Sequence, residues 1–152
     1  MLSDGRREEH YHCIHGFLVL FVHSWQLIHM DLILKDEAYK IIGICMEVHN
    51  NLGAGFLEIV YKDALEFEFR RAGLAYEREK EYAVNYKGSI LPHKFYADFV
   101  VLDQVILEVK GKNGIADEDV AQALNYLKVS RNRLALIVNF GEIKLNQRRI
   151  VL

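Results

Sequence analysis

The chain contains one proline in 152 residues and two cysteines. So little proline argues against long disordered linkers. Cys13 and Cys45 make neither a disulfide framework nor a zinc ligand set. Their scarcity fits a reducing compartment, which points to a cytoplasmic protein. No hydrophobic run is long enough to span a bilayer, so no membrane partner is expected. The longest apolar stretch, Phe17 to Val22, follows Arg6 and Arg7 as a secretory signal would. Glu8, Glu9 and several histidines intervene, however, and no clear small-residue cleavage site follows. An excess of basic charge is also lacking, the formal net charge being −2. That excludes a strongly basic nucleic-acid binder. It does not exclude nucleic-acid binding, because acidic metal ligands offset basic residues clustered elsewhere.

What is present is an ordinary globular balance, 51% hydrophobic and 26% charged. The length suits one domain able to bury a core without staples. Five of the seven histidines fall in the first 29 residues: His10, His12, His15, His23 and His29. This stretch has neither helical nor strand periodicity. The reading is an N-terminal extension over residues 1–29, with Met30 the natural start of a domain over 30–152. The His10-His12-Cys13-His15 group has metal-like ligand types but lacks the paired spacing of a zinc module.

From Asp36 to about Leu52, Ile41, Cys45, Val48 and Leu52 share one helical face. A second helix is expected from Leu57 to Ala72, with Val60, Ala64, Phe67 and Arg71 on one side and Leu65, Phe69 and Ala72 on another. Gly73 is suited to its C-terminal cap. The period then becomes two. Tyr82, Val84 and Tyr86 read as a strand, Lys87-Gly88 as a turn, and Phe95 to Leu102 and Val105 to Lys110 as further strands. Asp117, Glu118 and Asp119 crowd the start of a third helix, where the macrodipole favours negative charge. That helix is expected to bury Val120, Leu124 and Leu127 or their neighbours. Leu134 to Val138 is a continuous apolar run, as in a strand covered on both faces, and a short final strand can follow Gly141. The fold class is therefore α/β, a mixed sheet flanked by helices.

Asp98 and Glu108 each interrupt an apolar strand. A buried carboxylate needs a partner, and two at one point repel by roughly 4 kcal/mol at 4 Å and an effective dielectric near 20. A hard cation removes that cost, which makes Mg²⁺ or Mn²⁺ the expected cofactor. Lys110, two residues after Glu108, projects from the same face and can orient an attacking water or stabilise developing charge. Register is the test. A two-residue loop at Asp103-Gln104 points Asp98 away from Glu108, whereas a three-residue loop at 102–104 sets the two acids opposite each other. Spacing alone leaves open a buried ion pair of Lys110 with Asp98 or Glu108. Gln122 and Tyr126 share a helical face and suit phosphate, water or base contacts. Glu58 starts the second helix, where the dipole favours an acid. Lys62, Arg70, Arg71, Lys94, Lys112, Lys128, Arg131 and Arg133 are the candidate phosphate contacts.

Gly55-Phe56-Leu57-Glu58-Ile59-Val60-Tyr61 reads G-x-x-E-x-x-Y. With Tyr96-Ala97-Asp98, Glu108-Val109-Lys110, Gln122-Ala123-Leu124-Asn125-Tyr126 and Asn139-Phe140-Gly141, the stretch 31–152 resembles the small GxxExxY proteins. Those are placed among the PD-(D/E)xK nucleases. The resemblance implies a restriction-endonuclease-like core. It implies that Asp98, Glu108 and Glu58 are metal-binding acids and Lys110 a catalytic lysine. Gln122 and Tyr126 then match the Q-x-x-x-Y element of RecB-like enzymes. Gly111 departs from the family, which commonly has a small non-glycine residue there. The function implied is metal-dependent hydrolysis of nucleic acid, expected to be DNA. A homodimer suits a small enzyme acting on two strands. The rival readings are a non-catalytic nucleic-acid-binding module and a protein-interaction domain on the same fold.

Overall fold

A computed structural model describes residues 33–152. The extension at 1–29, Met30, the His10–His15 group and the Phe17–Val22 run lie outside the described residues. Three helices and five strands follow in the order α1 (Lys35–Leu52), α2 (Glu58–Arg71), β1 (Tyr76–Tyr86), β2 (Ser89–Val101), β3 (Val105–Lys110), α3 (Asp117–Ser130), β4 (Leu134–Asn139) and β5 (Asn146–Val151). The five strands form one sheet in sequence order. Only β3 and β4 run parallel, joined through α3; the other neighbours are antiparallel. No helix among the described residues is long and apolar enough to cross a membrane.

Each face of the sheet has its own core. On one, Ile41, Cys45 and Val48 of α1 and Tyr61, Leu65 and Phe69 of α2 pack on Phe99, Leu107, Val109, Leu136 and Val138. On the other, Ala123, Tyr126 and Leu127 of α3 pack on Ala97, Val100, Ile106, Ala135 and Ile137. Covered on both sides, β3 and β4 are apolar almost throughout, as expected for central strands. The α1 stripe agrees with the sequence reading, and burial pushes the Cys45 thiol up to about 12. Of the two sides expected for α2, that of Leu65 and Phe69 is the buried one, and that of Phe67 is not. The buried row is Tyr61, Leu65 and Phe69, while Phe67 is 62% exposed. In α3, Ala123, Tyr126 and Leu127 are buried, and Val120 and Leu124 only partly. Gly73, at φ 64°, closes α2 as expected: its N–H reaches Arg70 O and that of Leu74 reaches Phe69 O.

β1 and β2 both begin earlier than their apolar periodicity suggests. Residues 76–81 alternate charged side chains, so the strand hides behind polarity. Its inward side is built from Arg78 over the Phe99 ring and Lys80 over the Tyr82 ring. Pro92 sits where Leu91, Pro92 and His93 oppose Val84 alone, a bulge between Ala83↔Lys94 and Asn85↔Ile90.

The C-terminal ends of β3 and β4 are fastened by the fully buried Asn139. Its Oδ1 accepts the Lys112 and Gly141 N–H groups at 3.1 and 3.2 Å, and its Nδ2 donates to Lys112 O at 2.8 Å. The Phe140 N–H reaches Lys110 O at 2.7 Å. This closure requires Gly141, because a Cβ there would lie 2.3 Å from Lys112 O and 2.5 Å from Lys112 N. Both obstacles are backbone atoms, which cannot swing aside. Gly141→Ala should therefore destabilise the fold by about 1–3 kcal/mol, measured as a lower urea midpoint. An unchanged midpoint would show that the loop gives way.

Candidate functional site

The turn between β2 and β3 sets the geometry of the site. Phe99↔Leu107, Val100↔Ile106 and Val101↔Val105 pair, leaving the three residues Leu102–Gln104 as the connection. This is the odd loop that register demands if Asp98 is to stand opposite Glu108. Leu102 and Asp103 take positive φ of 55° and 56°, and the Gln104 N–H reaches Val101 O at 3.2 Å. These are features of a tight primed turn followed by an extra residue.

Beyond Phe99↔Leu107 the regular pairing stops, and side chains take over the backbone. Asp98 Oδ2 accepts the Val109 N–H at 2.8 Å. The Asp98 N–H points at Glu108 Oε1, a long contact of 3.4 Å. β2 also changes face here: Phe99 belongs to the core under α1 and α2, whereas Ala97 belongs to the core under α3. Asp98 thus sits at the crossover, with its carboxylate directed along the sheet toward β3. The same register continues into β1. Arg78↔Phe99 and Lys80↔Ala97 set Glu79 opposite Asp98, and Glu79 has φ 51°.

Around these acids stand two lysines. Lys110 Nζ lies 3.6 Å from Glu108 Oε2 and donates to Gln122 Oε1 at 3.0 Å. Gln122 Nε2 approaches the Tyr126 hydroxyl at 3.4 Å, and that hydroxyl donates to Tyr96 O at 2.9 Å. The structure therefore brings Asp98, Glu108, Lys110, Gln122 and Tyr126 together. Lys62, from α2, donates to Asp98 Oδ1 at 2.9 Å and Glu79 Oε1 at 2.7 Å. Glu58 goes elsewhere: it is exposed, and its Oε1 accepts the Gly111 N–H at 3.1 Å. Gly111 makes this approach possible, since a Cβ there would lie 3.2 Å from Glu58 Cγ. Among the described residues no three His, Cys, Asp or Glu side chains gather as a ready-made metal cage.

Glu108 is 2% exposed, and burial pushes its carboxyl up to about 8. The Asp98 charge pushes the same way, and Lys110 only partly opposes both. Tyr126 is raised to about 12, first by burial and then by the charges of Glu108 and Asp98. Burial alone would lower Lys62, but its hydrogen bonds to Glu79 and Asp98 prevail and hold the ammonium above its ordinary range. A buried acid beside a second acid, both presenting hard oxygen donors, fits a small divalent cation. Mg²⁺ commonly takes one or two protein carboxylates and completes its shell with water and substrate phosphate, so two acids suffice.

Of the basic residues considered for phosphate contact, several are already paired. Arg70 holds Glu66, Arg71 holds Glu68, Lys94 holds Glu81 and Lys112 holds the buried Asp119. Among the described residues no ion pair engages Lys128, Arg131 or Arg133. Sequence reasoning missed Glu79 as a site residue and Lys62 as a partner of the acids. Glu79 lies in a run of alternating charge, where only the strand register distinguishes it.

The raised Glu108 carboxyl has a stability consequence. Between about 4.5 and 8 the folded protein binds this proton more tightly than the unfolded chain does. Stability from this group is thus present at low pH and lost as pH rises through that window. Glu108→Gln should leave stability near pH 4 unchanged and raise it at pH 8.5, by about 1.4 kcal/mol for each pKa unit of the shift. Urea unfolding of both proteins at the two pH values checks this. A parallel pH dependence would place the raised carboxyl elsewhere.

No curated protein matches the chain in sequence. A solved structure described as the crystal structure of SSO0001 resembles it with a TM-score of 0.51 at 17% identity. The match covers 62% of this chain and 50% of that one, so the chain spans about half the length of that structure. At that identity the likeness speaks for the fold. The sequence model of the PD-(D/E)XK nuclease superfamily matches residues 35–150, a span containing every strand and helix just described except the last residue of β5. The chain therefore belongs to the PD-(D/E)XK nuclease superfamily.

Proposed function

We propose that this chain is a divalent-metal-dependent nuclease that hydrolyses phosphodiester bonds, with DNA as the substrate. One observation carries the reading: past the end of the β2–β3 ladder the Asp98 N–H points at Glu108 Oε1 and Asp98 Oδ2 accepts the Val109 N–H, which brings the two acids together with the Lys110 ammonium 3.6 Å from Glu108. Membership of a nuclease superfamily whose members generally use divalent metals and act on nucleic acid supports it.

In this reading Asp98 and Glu108 hold Mg²⁺ or Mn²⁺. When bound, the ion supplies positive charge to the scissile phosphate and assists ionisation of the attacking water. Lys110, fixed by Gln122, orients that water or stabilises charge developing on the phosphate. Gln122 is the link that keeps Lys110 from collapsing onto Glu108, since it bonds Lys110 from the α3 side. Tyr126 fixes the ribbon over the site through Tyr96 O. Glu58 acts one step away: by capping Gly111 N–H it fixes the end of the strand that carries Lys110. Phe95 and Tyr96 are 37% and 50% exposed beside Tyr126, an aromatic surface on which bases can stack. Lys128, Arg131 and Arg133 are free of ion pairs among the described residues, but Leu134 pairs with Val105 and Asn139 with Lys110, so Arg131 and Arg133 precede the end of β4 remote from Lys110 and can meet backbone phosphate only away from the scissile bond.

Lys110→Ala should lower metal-dependent cleavage of labelled DNA by about 100-fold or more while leaving the thermal midpoint within a few degrees. The assay runs single- and double-stranded DNA with Mn²⁺, Mg²⁺ or EDTA. Equal cleavage by the variant removes Lys110 from the mechanism. If neither protein cuts DNA but RNA is cleaved, the substrate assignment changes and the metal chemistry stands.

A further inference from the structure

We infer that Lys62 and Glu79 form a cation relay at the metal site: the Lys62 ammonium holds the Asp98 carboxylate until a divalent ion arrives, and Glu79 then retains the displaced ammonium. The inference rests on the metal reading of Asp98 and Glu108 given above.

The two oxygens of Asp98 have different tasks. Oδ2 accepts the Val109 N–H at 2.8 Å and is tied to the strand. Oδ1 is left to meet a cation, and it is the oxygen that Lys62 Nζ holds at 2.9 Å. Both side chains are only 14% exposed, so water screens this pair weakly. A divalent ion shared by Asp98 and Glu108 must therefore compete with an ammonium already in place. The Lys62 Cα is fixed, although its long side chain can swing. It is flanked in α2 by Tyr61, which is fully buried, and Leu65 fixes the next turn of the same helix.

Glu79 completes the device. Its Oε1 lies 2.7 Å from the same Nζ, and its side chain is 48% exposed, away from the buried heart of the site. The chain places it there through a positive φ of 51°, a conformation that non-glycine residues rarely adopt. Such an outlier persists where surrounding structure imposes it, commonly at functional sites. With Glu79 present, loss of Asp98 does not leave Lys62 as an unpaired, partly buried charge. Lys110 plays no such part, since Gln122 rather than a second acid holds it.

The test is binding of Mn²⁺ alone to the full chain, followed by calorimetry and by the electron paramagnetic resonance of free Mn²⁺. Lys62→Met and Lys62→Gln should tighten Mn²⁺ binding by about tenfold. Lys62→Arg, which keeps the charge, should stay near the parent value. Glu79→Gln should weaken binding in the parent but have no effect in the Lys62→Met background, because there is no ammonium left to receive. Unchanged or weaker binding in both Lys62→Met and Lys62→Gln overturns the relay while leaving the metal site standing. Equal weakening by Glu79→Gln in both backgrounds overturns it too, and makes Glu79 a direct ligand. Absence of Mn²⁺ binding in every variant sinks the relay and the metal reading together.

Discussion

Two carboxyl groups brought together inside a sheet, so that one of them holds its proton up to about 8, are the constraint around which this domain is arranged. Strands β2 and β3 pair regularly only as far as Phe99 and Leu107. Beyond that point the carboxylates of Asp98 and Glu108 turn onto the backbone N–H groups instead. The cost of burying Glu108 is evident in a carboxyl raised to about 8. Everything nearby serves to contain that charge. Lys110 and Lys62 each attend one acid, Gln122 steadies the first lysine and Glu79 the second.

The elements farther out make that arrangement rigid. α2 delivers Lys62 while burying Tyr61, Leu65 and Phe69, so the lysine inherits its position from the apolar core. α3 delivers Gln122 in the same way from the opposite face, anchored by Ala123, Tyr126 and Leu127. The acids therefore sit between two independent cores. Asn139 and Gly141 close the strand ends below them with hydrogen bonds that do not depend on any charge.

Much of this was legible in the sequence, and the illegible part has a common cause. Apolar periodicity located α1, α2, α3, β3 and β4, and two carboxylates in apolar strands pointed to the pair of acids that the structure brings together. Parity even specified the three-residue turn that the Asp98–Glu108 pairing requires. The start of β1 was hidden because its inward side is made of Arg78 and Lys80 lying over aromatic rings, which a hydrophobic pattern cannot register. Of the two sides read for α2, the one with Leu65 and Phe69 is buried; the other misled because Phe67 looks like core, and Tyr61, whose hydroxyl bonds Gly53 O, was missed from the buried row. Lys62 and Glu79 escaped because their meaning depends on a change of strand face at Asp98 and on a backbone angle at Glu79, neither of which leaves a mark in residue type. The resemblance assigned Glu58 to the metal; its Oε1 accepts the N–H of Gly111, the residue after Lys110, a contact no residue type announces.

Glu108 lies on β3, which pairs with β4 along its whole length but with β2 only from Val105 to Leu107. From Glu108 to Lys110 the β2 edge is held by side chains instead of a ladder. Amide exchange through local fraying is therefore easier where Asp98 leaves the ladder than along the β3–β4 seam. The two acids thus belong to segments of unequal persistence: Asp98 travels with the outer ribbon, while Glu108 and Lys110 stay with the seam.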